Sequence, residues 1–258
     1  MLAFTDIGAP SRLPTLLIVH GLFGSARNWG AVARRLSEDR RVIAVDMRNH
    51  GRSFRADSQS YADMAGDLAR VIDVVGGPVD VVGHSMGGKA AMQLALTRGE
   101  LVDRLVVADI APVAYGHSLA HLVRAMRGLD LNGLAARSDA DRRLAEAVPE
   151  DGVRAFLLQS LDLKADPPEW RLNLDVLERE MEKIIGWPGT EGRFERPALF
   201  LTGALSDYVR PEHRQTIKRL FPNAKFAKIP GAGHWLHAER PREFEAAVRA
   251  FLDRPSDG

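Results

Sequence analysis

The sequence contains no cysteine, carries almost no net charge and has no long apolar run. Without cysteine the chain cannot form disulfides, thiolate metal sites or a thiol nucleophile. Its 35 Lys and Arg residues against 34 Asp and Glu residues leave a formal net charge of +1, so no strong field favours nucleic acid or an anionic membrane as a partner. No segment approaches ~18 uninterrupted apolar residues, and Arg12 lies too late for a signal peptide. We therefore expect a cytoplasmic protein that binds neither membrane nor nucleic acid and whose partner is a small molecule; the sequence does not indicate an oligomeric state.

The first half of the chain repeats one unit of apolar run, loop and helix-period sequence. Of the 258 residues, 45% are hydrophobic and 27% are charged, as in ordinary folded proteins. The apolar runs are rich in Val and Ile and predict strands at Thr15–Val19, Arg41–Val45, Val79–Val82 and Arg104–Ala108. Apolar residues at helical spacing predict helices at Asn28–Leu36, Tyr61–Val75 and Gly87–Leu96. This alternation predicts an α/β fold with a mostly parallel sheet and helices on both faces.

The alternation stops between residues 113 and 195 and then resumes. The intervening sequence is rich in Ala, Leu and Arg, is broken by prolines and contains no convincing strand. Two further runs, Ala198–Leu201 and Lys225–Ile229, predict strands, and Pro241–Leu252 predicts an amphipathic closing helix with proline in its first turn. We therefore predict a helical cap at residues 113–195, inserted into an α/β core formed by residues 1–112 and 196–258.

The strongest chemical signal is the sequence Gly83-His84-Ser85-Met86-Gly87. It has the form G-x-S-x-G, follows a hydrophobic strand and precedes a helix of small residues, which is the setting of a nucleophilic serine. Ser85 must sit on a sharp, strained turn, and a Cβ at Gly83 or Gly87 would collide with the backbone that folds past it. The turn also aims the N-terminus of the helix at the reacting oxygen, so Met86 N–H is a candidate oxyanion donor.

The same stretch also matches a phosphate-binding loop. Gly83, Gly88 and Lys89 fit G-x-x-x-x-G-K between a strand and a helix, and Asp109 ends a second strand. However, Ala90 lacks the hydroxyl that would bind magnesium in such a loop. We therefore prefer the nucleophilic serine and interpret Lys89 as a solvated charge on the helix.

A second oxyanion donor is expected from the loop His20-Gly21-Leu22-Phe23-Gly24, which directly follows the first buried strand. In serine hydrolases such a loop supplies the other oxyanion N–H. Because Gly21 lets the backbone approach the substrate closely, we assign this donor to Leu22 N–H, with Phe23 N–H as the neighbouring alternative. His20 is interpreted as a structural residue of the core.

The general base is predicted to come from near the C-terminus. Ser85 alone is a poor nucleophile and needs an imidazole within hydrogen-bond reach, oriented by a carboxylate. His234 follows the last predicted strand in the glycine-flexed loop PGAGHW and is the candidate base. His237 is interpreted as a supporting group or a surface residue. His117 and His121 stand four residues apart but lack a third ligand, so we expect an exposed helix face there and no metal site.

Two carboxylates are candidates for the acid that orients the imidazole of His234. Asp207 lies in the loop after Ala198–Leu201, the commonest place for this acid, but Ser206 occupies the usual position and Asp207 comes one residue late. Asp109 lies at the C-terminal end of the strand that follows the nucleophile's helix, beside the crevice where open α/β sheets bind ligands. We favour Asp109 because a one-residue shift on a loop rotates a side chain substantially, and Asp207 stays open as the alternative. With Asp109 as the acid, Ser206 is expected near His234, where it would help to hold the ring.

Taken in order, the segments HGLFGS, DMRNHGRS, GHSMGG and GAGHW resemble the α/β-hydrolase superfamily from about residue 15 to residue 252. The pair HGLFG and DMRNHG is similar to a small esterase branch whose members act on short-chain esters and acyl-CoA thioesters. The resemblance implies a Ser-His-Asp triad in an α/β-hydrolase fold with an inserted cap. Members of that branch often carry the acid after the strand that precedes the cap, which supports Asp109. They often lack a carboxylate after the penultimate strand, so the presence of Asp207 there departs from their pattern. It also implies that the short segment before residue 15 forms a single opening antiparallel strand.

The predicted function is hydrolysis of a small ester or acyl thioester through an acyl-enzyme on Ser85, without cofactor or metal. Apolar residues that could wall an acyl pocket are Phe23, Met86, Leu119, Met126, Phe156, Leu157 and Trp187. Four cations are interpreted as solvated charges rather than contacts to the phosphates of a CoA ester, namely Arg124, Arg127, Lys164 and Arg171. The alternatives are an enol-lactonase, a C–C bond hydrolase or a cofactor-free haloperoxidase that uses the same residues, and a ligand receptor that keeps the fold without turnover.

Overall fold

The computed structural model describes residues 1–254 of the chain. In these residues the strands are β1 (Phe4–Ile7), β2 (Leu16–Val19), β3 (Val42–Val45), β4 (Val79–His84), β5 (Val102–Ala108), β6 (Leu161–Asp162), β7 (Glu169–Trp170), β8 (Ala198–Gly203) and β9 (Ala224–Ile229). The α-helices are α1 (Gly30–Leu36), α2 (Tyr61–Val75), α3 (Met86–Thr97), α4 (Ala120–Gly128), α5 (Arg137–Leu144), α6 (Asp151–Leu157), α7 (Leu174–Arg179), α8 (Met181–Ile185), α9 (His213–Leu220), α10 (Leu236–Glu239) and α11 (Pro241–Leu252). Short 3-10 helices lie at Ala26–Trp29, Gly99–Leu101 and Leu158–Ser160.

Seven strands form one sheet in the order β1-β3-β2-β4-β5-β8-β9. Only its first strand, β1, runs antiparallel to its neighbour, and the other described pairs are parallel. Every residue of β2, β3 and β4 is buried, as expected for parallel strands that are covered on both faces. The predictions of a mostly parallel sheet and of a single opening antiparallel strand are therefore confirmed.

Side chains of the central strands alternate between two apolar clusters, one on each face of the sheet. In β2, Leu17 and Val19 point into the larger cluster with α2 and α3, whereas Leu16 and Ile18 point into the smaller cluster with α1 and α11. The larger cluster also contains Met126, Leu157, Trp170 and Met181 from the segment between β5 and β8. That segment thus shares an apolar core with one face of the sheet.

The segment between β5 and β8 departs from the prediction in one respect. It is mostly helical, but β6 and β7 pair as a two-stranded antiparallel ladder, so the expectation that it contains no strand is wrong. Two-residue strands carry no periodicity that a sequence pattern could reveal. Similarly, the predicted helix at Asn28–Leu36 begins as the 3-10 helix Ala26–Trp29 and becomes α-helical only at Gly30.

The loop after β3 joins the inserted segment to the core through backbone contacts. His50 forms an isolated antiparallel bridge with Leu172. Gly51 N–H donates to the Arg171 carbonyl (2.8 Å), and Asn173 N–H donates to the Asn49 carbonyl (2.9 Å). None of the helices formed by residues 1–254 combines the length and the apolar character needed to cross a bilayer.

A buried ion pair at the other end of the sheet generates a stability prediction. Asp80 of β4 is fully buried, and Arg40, itself 2% exposed, donates to it at 2.9 Å. Burial raises the pKa of Asp80 to about 7, and Arg40 opposes this rise. Removal of one partner of such a pair leaves an uncompensated buried group.

We expect Arg40→Met to lower the free energy of unfolding in urea at pH 7.5 by about 3–5 kcal/mol. The matched control is the neighbouring Arg41→Met, since Arg41 pairs with the partly exposed Asp6 and should cost about 1 kcal/mol or less. Equal losses in the two variants would contradict the importance of the buried pair.

Candidate active site

The site lies where the carboxyl ends of parallel strands meet at one edge of the sheet. Ser85 directly follows β4, and Asp109 directly follows β5. Leu22 lies in the loop after β2, and His234 lies in the loop after β9. Because β2, β4 and β5 are adjacent in the sheet, residues distant in sequence converge at this edge.

The turn between β4 and α3 holds Ser85 in a strained backbone conformation, with φ 51° and ψ −120°. A Cβ at Gly83 would meet the Gly87 carbonyl oxygen at 2.5 Å, and a Cβ at Gly87 would meet the Val19 and His20 carbonyl oxygens at 2.4 Å. Both glycines are therefore required by close backbone approach, as the sequence predicts.

Ser85, His234 and Asp109 form a continuous hydrogen-bonded chain. The carboxylate of Asp109 can only accept, so His234 Nδ1–H donates to Asp109 Oδ2 at 2.7 Å. His234 Nε2 is then free to accept from Ser85 Oγ, which lies 3.1 Å away. The loop that carries His234 is fixed by Glu239, whose carboxylate accepts from the N–H groups of Gly233 (2.7 Å) and Trp235 (3.2 Å).

Asp109 is fully buried and lies at φ 52°, a conformation that few side chains adopt. Its Oδ1 accepts from Gly203 N–H at 3.0 Å, and its Oδ2 accepts from Ser206 Oγ at 2.5 Å as well as from His234. The hydroxyl of Ser206 therefore bonds to the carboxylate that holds the imidazole and not to the imidazole itself. These three donors fix the orientation of the carboxylate.

The structure brings Asp109, and not Asp207, to His234. The side chain of Asp207 is 82% exposed, and its carboxylate pairs with Arg210 at 3.2 Å. A loop position one residue after Ser206 therefore points outward, as the argument from side-chain rotation anticipates.

Two backbone N–H groups beside Ser85 have no acceptor. Within residues 1–254, neither Leu22 N–H nor Met86 N–H makes a hydrogen bond to the protein. Phe23 N–H, the alternative donor, is instead occupied by His50 Nε2 at 3.2 Å. The two N–H groups predicted from the sequence are therefore unoccupied, whereas the N–H of the alternative, Phe23, is already bonded.

Tyr208 is a residue of the site that the sequence analysis missed. Its ring stacks on His234 with centroids 4.0 Å apart and planes 19° from parallel. Its carbonyl accepts from Tyr115 Oη at 2.8 Å, which ties the loop after β8 to the loop after β5. Its position in a loop after a predicted strand is the only sequence signal, and no motif marks it.

Buried histidines support the loops of the site as neutral groups. Burial lowers the pKa values of His20 and His84, and it lowers those of His50 and His237 to about 3. His84 Nε2–H donates to the His234 carbonyl at 2.8 Å and so holds the backbone of that loop. His237 stacks on Trp29 at 4.1 Å, so its interpretation as a surface residue is wrong.

The interpretation of Lys89 as a solvated charge is also wrong. It is 1% exposed rather than solvated, and its amine donates to the carbonyls of Ile185 (2.9 Å) and Gly186 (2.5 Å) at the end of α8.

A cavity of about 320 Å³ adjoins Ser85 and His234. Its apolar walls include Phe23, Leu119, Phe156 and Leu157 of the predicted set, and the sequence analysis missed Leu122, Val153 and Trp235. A narrow cavity of about 30 Å³ on another side of Ser85 is lined by Met86, Lys89, Tyr61 and Tyr115 among others. Met126 and Trp187 line neither cavity.

The remaining candidates lie elsewhere. Arg124 pairs with Glu178, and Arg127 pairs with Asp175 and Glu178, while Arg171 pairs with Asp162 and Lys164 is exposed. His117 Nε2 lies 2.9 Å from Tyr208 Oη, and His121 Nδ1 donates weakly to the Ser118 carbonyl. Across residues 1–254, no group of three or more His, Asp or Glu side chains is placed to hold a metal ion.

Comparisons with known proteins agree with this architecture. A model of the alpha/beta hydrolase family matches residues 16–247. The sn-1-specific diacylglycerol lipase ABHD11 of Mus musculus is 40% identical over 260 residues, covering 97% of this chain and 85% of that protein. Esterase YbfF of Escherichia coli (strain K12) is 39% identical over 243 residues, covering 92% of each chain. A solved structure of a marine microorganism esterase is 37% identical, with a TM-score of 0.92 over 97% of this chain and 98% of that chain. The chain therefore belongs to the alpha/beta hydrolase family.

Proposed function

We propose that the protein is a carboxylic ester hydrolase in which Ser85 is the nucleophile, His234 the general base and Asp109 the acid that orients it. The observation that carries this proposal is the continuous chain of hydrogen bonds from Ser85 Oγ through His234 to Asp109, beside two unoccupied backbone N–H groups. The relatives named a diacylglycerol lipase and an esterase support the same reaction class.

In the first half-reaction, His234 Nε2 takes the proton of Ser85 as Oγ attacks the substrate carbonyl. The carbonyl oxygen becomes an oxyanion, and the N–H groups of Leu22 and Met86 stabilise it by about 3 kcal/mol each. The imidazolium of His234 then protonates the leaving alcohol as its bond to the acyl carbon breaks. An ester of Ser85 remains.

In the second half-reaction, water replaces the departed alcohol next to His234. Nε2 takes a proton from this water as its oxygen attacks the acyl carbon, and the same two N–H groups bind the second oxyanion. Collapse expels Ser85 Oγ, which recovers its proton from His234. The carboxylic acid is released, and the enzyme returns to its initial state.

The environment of Asp109 suits this cycle because a fixed carboxylate keeps the proton on Nδ1 and stabilises the imidazolium when it forms. Donors from Gly203 and Ser206 hold both carboxylate oxygens before the reaction begins. No reorientation is therefore needed at the transition state.

The substrate class follows from the cavity beside Ser85. Its apolar walls favour an acyl chain, and its volume of about 320 Å³ favours small acyl groups over long ones. Thioesters of the same acyl groups fit the same mechanism, with a thiol as the leaving group. In this proposal residues 113–195 act as a cap, since Leu119, Leu122, Val153, Phe156 and Leu157 from that segment complete the cavity.

Loss of the nucleophile should abolish turnover. We expect Ser85→Ala to lower kcat for p-nitrophenyl butyrate by about 10⁶-fold, while the exposed control Ser11→Ala keeps wild-type activity. A fluorophosphonate probe should label the wild type at Ser85 and fail to label the variant. Undiminished turnover by Ser85→Ala, or no turnover and no labelling by the wild type, would sink the proposal.

The two candidate acids are separated by matched amide substitutions. Asp109→Asn should lower kcat by about 10⁴-fold because the amide stabilises the wrong imidazole tautomer. Asp207→Asn changes an exposed carboxylate and should leave kcat within about twofold, as surface changes usually do. Steady-state kinetics on both variants checks this, and a larger loss in Asp207→Asn would reverse the assignment.

Filling the cavity should change the preference for acyl length. Leu122→Trp adds volume to the wall beside Ser85, so kcat/KM for p-nitrophenyl octanoate should fall at least about tenfold relative to that for the acetate. The control Leu205→Trp makes the same change at a side chain that is 77% exposed and should leave the ratio unaltered. An unchanged ratio in Leu122→Trp would show that acyl chains bind elsewhere.

A further inference from the structure

The amine of Lys89 joins the helix of the nucleophile to the end of α8. Nζ donates to the carbonyl oxygens of Ile185 (2.9 Å) and Gly186 (2.5 Å), which end that helix. Two neighbouring groups reach the same helix end, since Tyr61 Oη donates to the Ile184 carbonyl and Tyr115 N–H donates to the Ile185 carbonyl at 3.0 Å. The end of α8 is therefore held by donors from the core, and Lys89 alone among these carries a charge.

Lys89 is also one turn from the reacting group. Its backbone N–H donates to the Ser85 carbonyl at 3.0 Å, the first hydrogen bond of α3. Its side chain lines the narrow cavity of about 30 Å³ together with Ser85, Met86 and Ile185. The position of α8 relative to Lys89 thus sets one wall of the space beside the nucleophile.

The charge of this amine has no counter-ion. In the part of the chain that the structure describes, no carboxylate lies within ion-pair distance of Nζ, and its ring neighbours are Tyr115 at 4.7 Å and Tyr61 at 5.7 Å. Burial raises the pKa values of both phenols, so they stay neutral. His117 and Tyr208 also line the cavity, and burial raises the pKa of Tyr208 as well.

The charged groups of α8 face away from the amine. Lys183 is 60% exposed and pairs with Glu180 at 2.7 Å, and Glu182 is exposed. Burial without compensation lowers the pKa of Lys89 to about 7.

We propose that Lys89 is a positioning residue for the reaction at Ser85. Its amine holds the end of α8 against the helix that follows Ser85, an arrangement called seated below, and this contact becomes more stable when the amine loses its proton. This inference rests on the proposed function, because it concerns the wall of the site where Ser85 reacts.

The direction of the pH effect follows from linkage. When α8 moves away, water reaches the amine and its pKa returns toward about 10.4, so the separated arrangement binds the proton more tightly than the seated one. Between about pH 7 and 10, falling pH therefore favours separation and rising pH favours seating. Below about pH 7 the amine is protonated in both arrangements, and the balance becomes constant.

The test compares kcat/KM for p-nitrophenyl butyrate between pH 6 and 9.5 in wild type, Lys89→Met and the control Lys183→Met. Methionine has a similar volume to lysine but does not titrate. The control Lys183→Met makes the same substitution at a lysine on the exposed side of α8. Any pH dependence that the three proteins share cancels in ratios. We expect the ratio of wild type to Lys89→Met to rise at least about threefold from pH 6.5 to 9.5, and the ratio of wild type to Lys183→Met to stay flat.

If Lys89→Met does not fold, Lys89→Arg replaces it, because a guanidinium stays charged throughout this range. The ratio of wild type to Lys89→Arg should rise in the same direction. A flat ratio with active proteins, or an equal rise with Lys183→Met, would overturn this inference and leave the proposed function intact. Absence of wild-type turnover and of fluorophosphonate labelling would instead remove the proposed function, and this inference with it.

Discussion

The close approach of the turn after β4 to the end of β2 is the constraint on which the rest of the site depends. At Gly87 the backbones are so near that a single added carbon would lie 2.4 Å from two carbonyl oxygens of β2 and its loop. This contact accompanies the strained backbone of Ser85, and it places the N–H of Met86, the first residue of α3, next to the serine. The loop after β2 also passes close to the serine, since a Cβ at Gly21 would lie 3.2 Å from Ser85 Cβ. The position of Ser85 and those of the two unoccupied N–H groups therefore follow from the packing of these loops.

The second requirement is a buried carboxylate whose removal from water is offset by hydrogen bonds. Asp109 is removed from water, yet Gly203, Ser206 and His234 together donate to it, which replaces hydration with fixed hydrogen bonds. The surrounding imidazoles of His20, His50 and His84 are held neutral by burial and add no competing charge. The interaction between Asp109 and His234 thus acts in a region of low polarity, where it is stronger than in water.

Sequence patterns identify the parts of this site that local backbone geometry determines. Ser85, Met86 and Leu22 follow from glycine spacing after strands, and the placement of Asp109 follows from the convergence of strand ends. Contacts between distant segments leave no such pattern: the hydroxyl of Ser206 reaches a carboxylate 97 residues away, and Lys89 reaches a carbonyl 97 residues away. The interpretation of Lys89 as solvated fails because its neighbours on α3 suggest an ordinary helix, whereas α8 covers it only in three dimensions.

The inserted segment and the sheet share one apolar cluster, and this limits how the space beside Ser85 can open. Lifting the whole segment would expose Leu157, Trp170 and Met181 to water at a cost of about 25 cal/mol for each Å² of apolar surface. Movement at the end of α8 would break the hydrogen bonds from Lys89 to the carbonyls of Ile185 and Gly186, and it would also expose Ile184, a buried member of the same cluster. The end of α8 is therefore held both by hydrogen bonds from Lys89 and by apolar packing, and a local movement there exposes less apolar surface than lifting the whole segment.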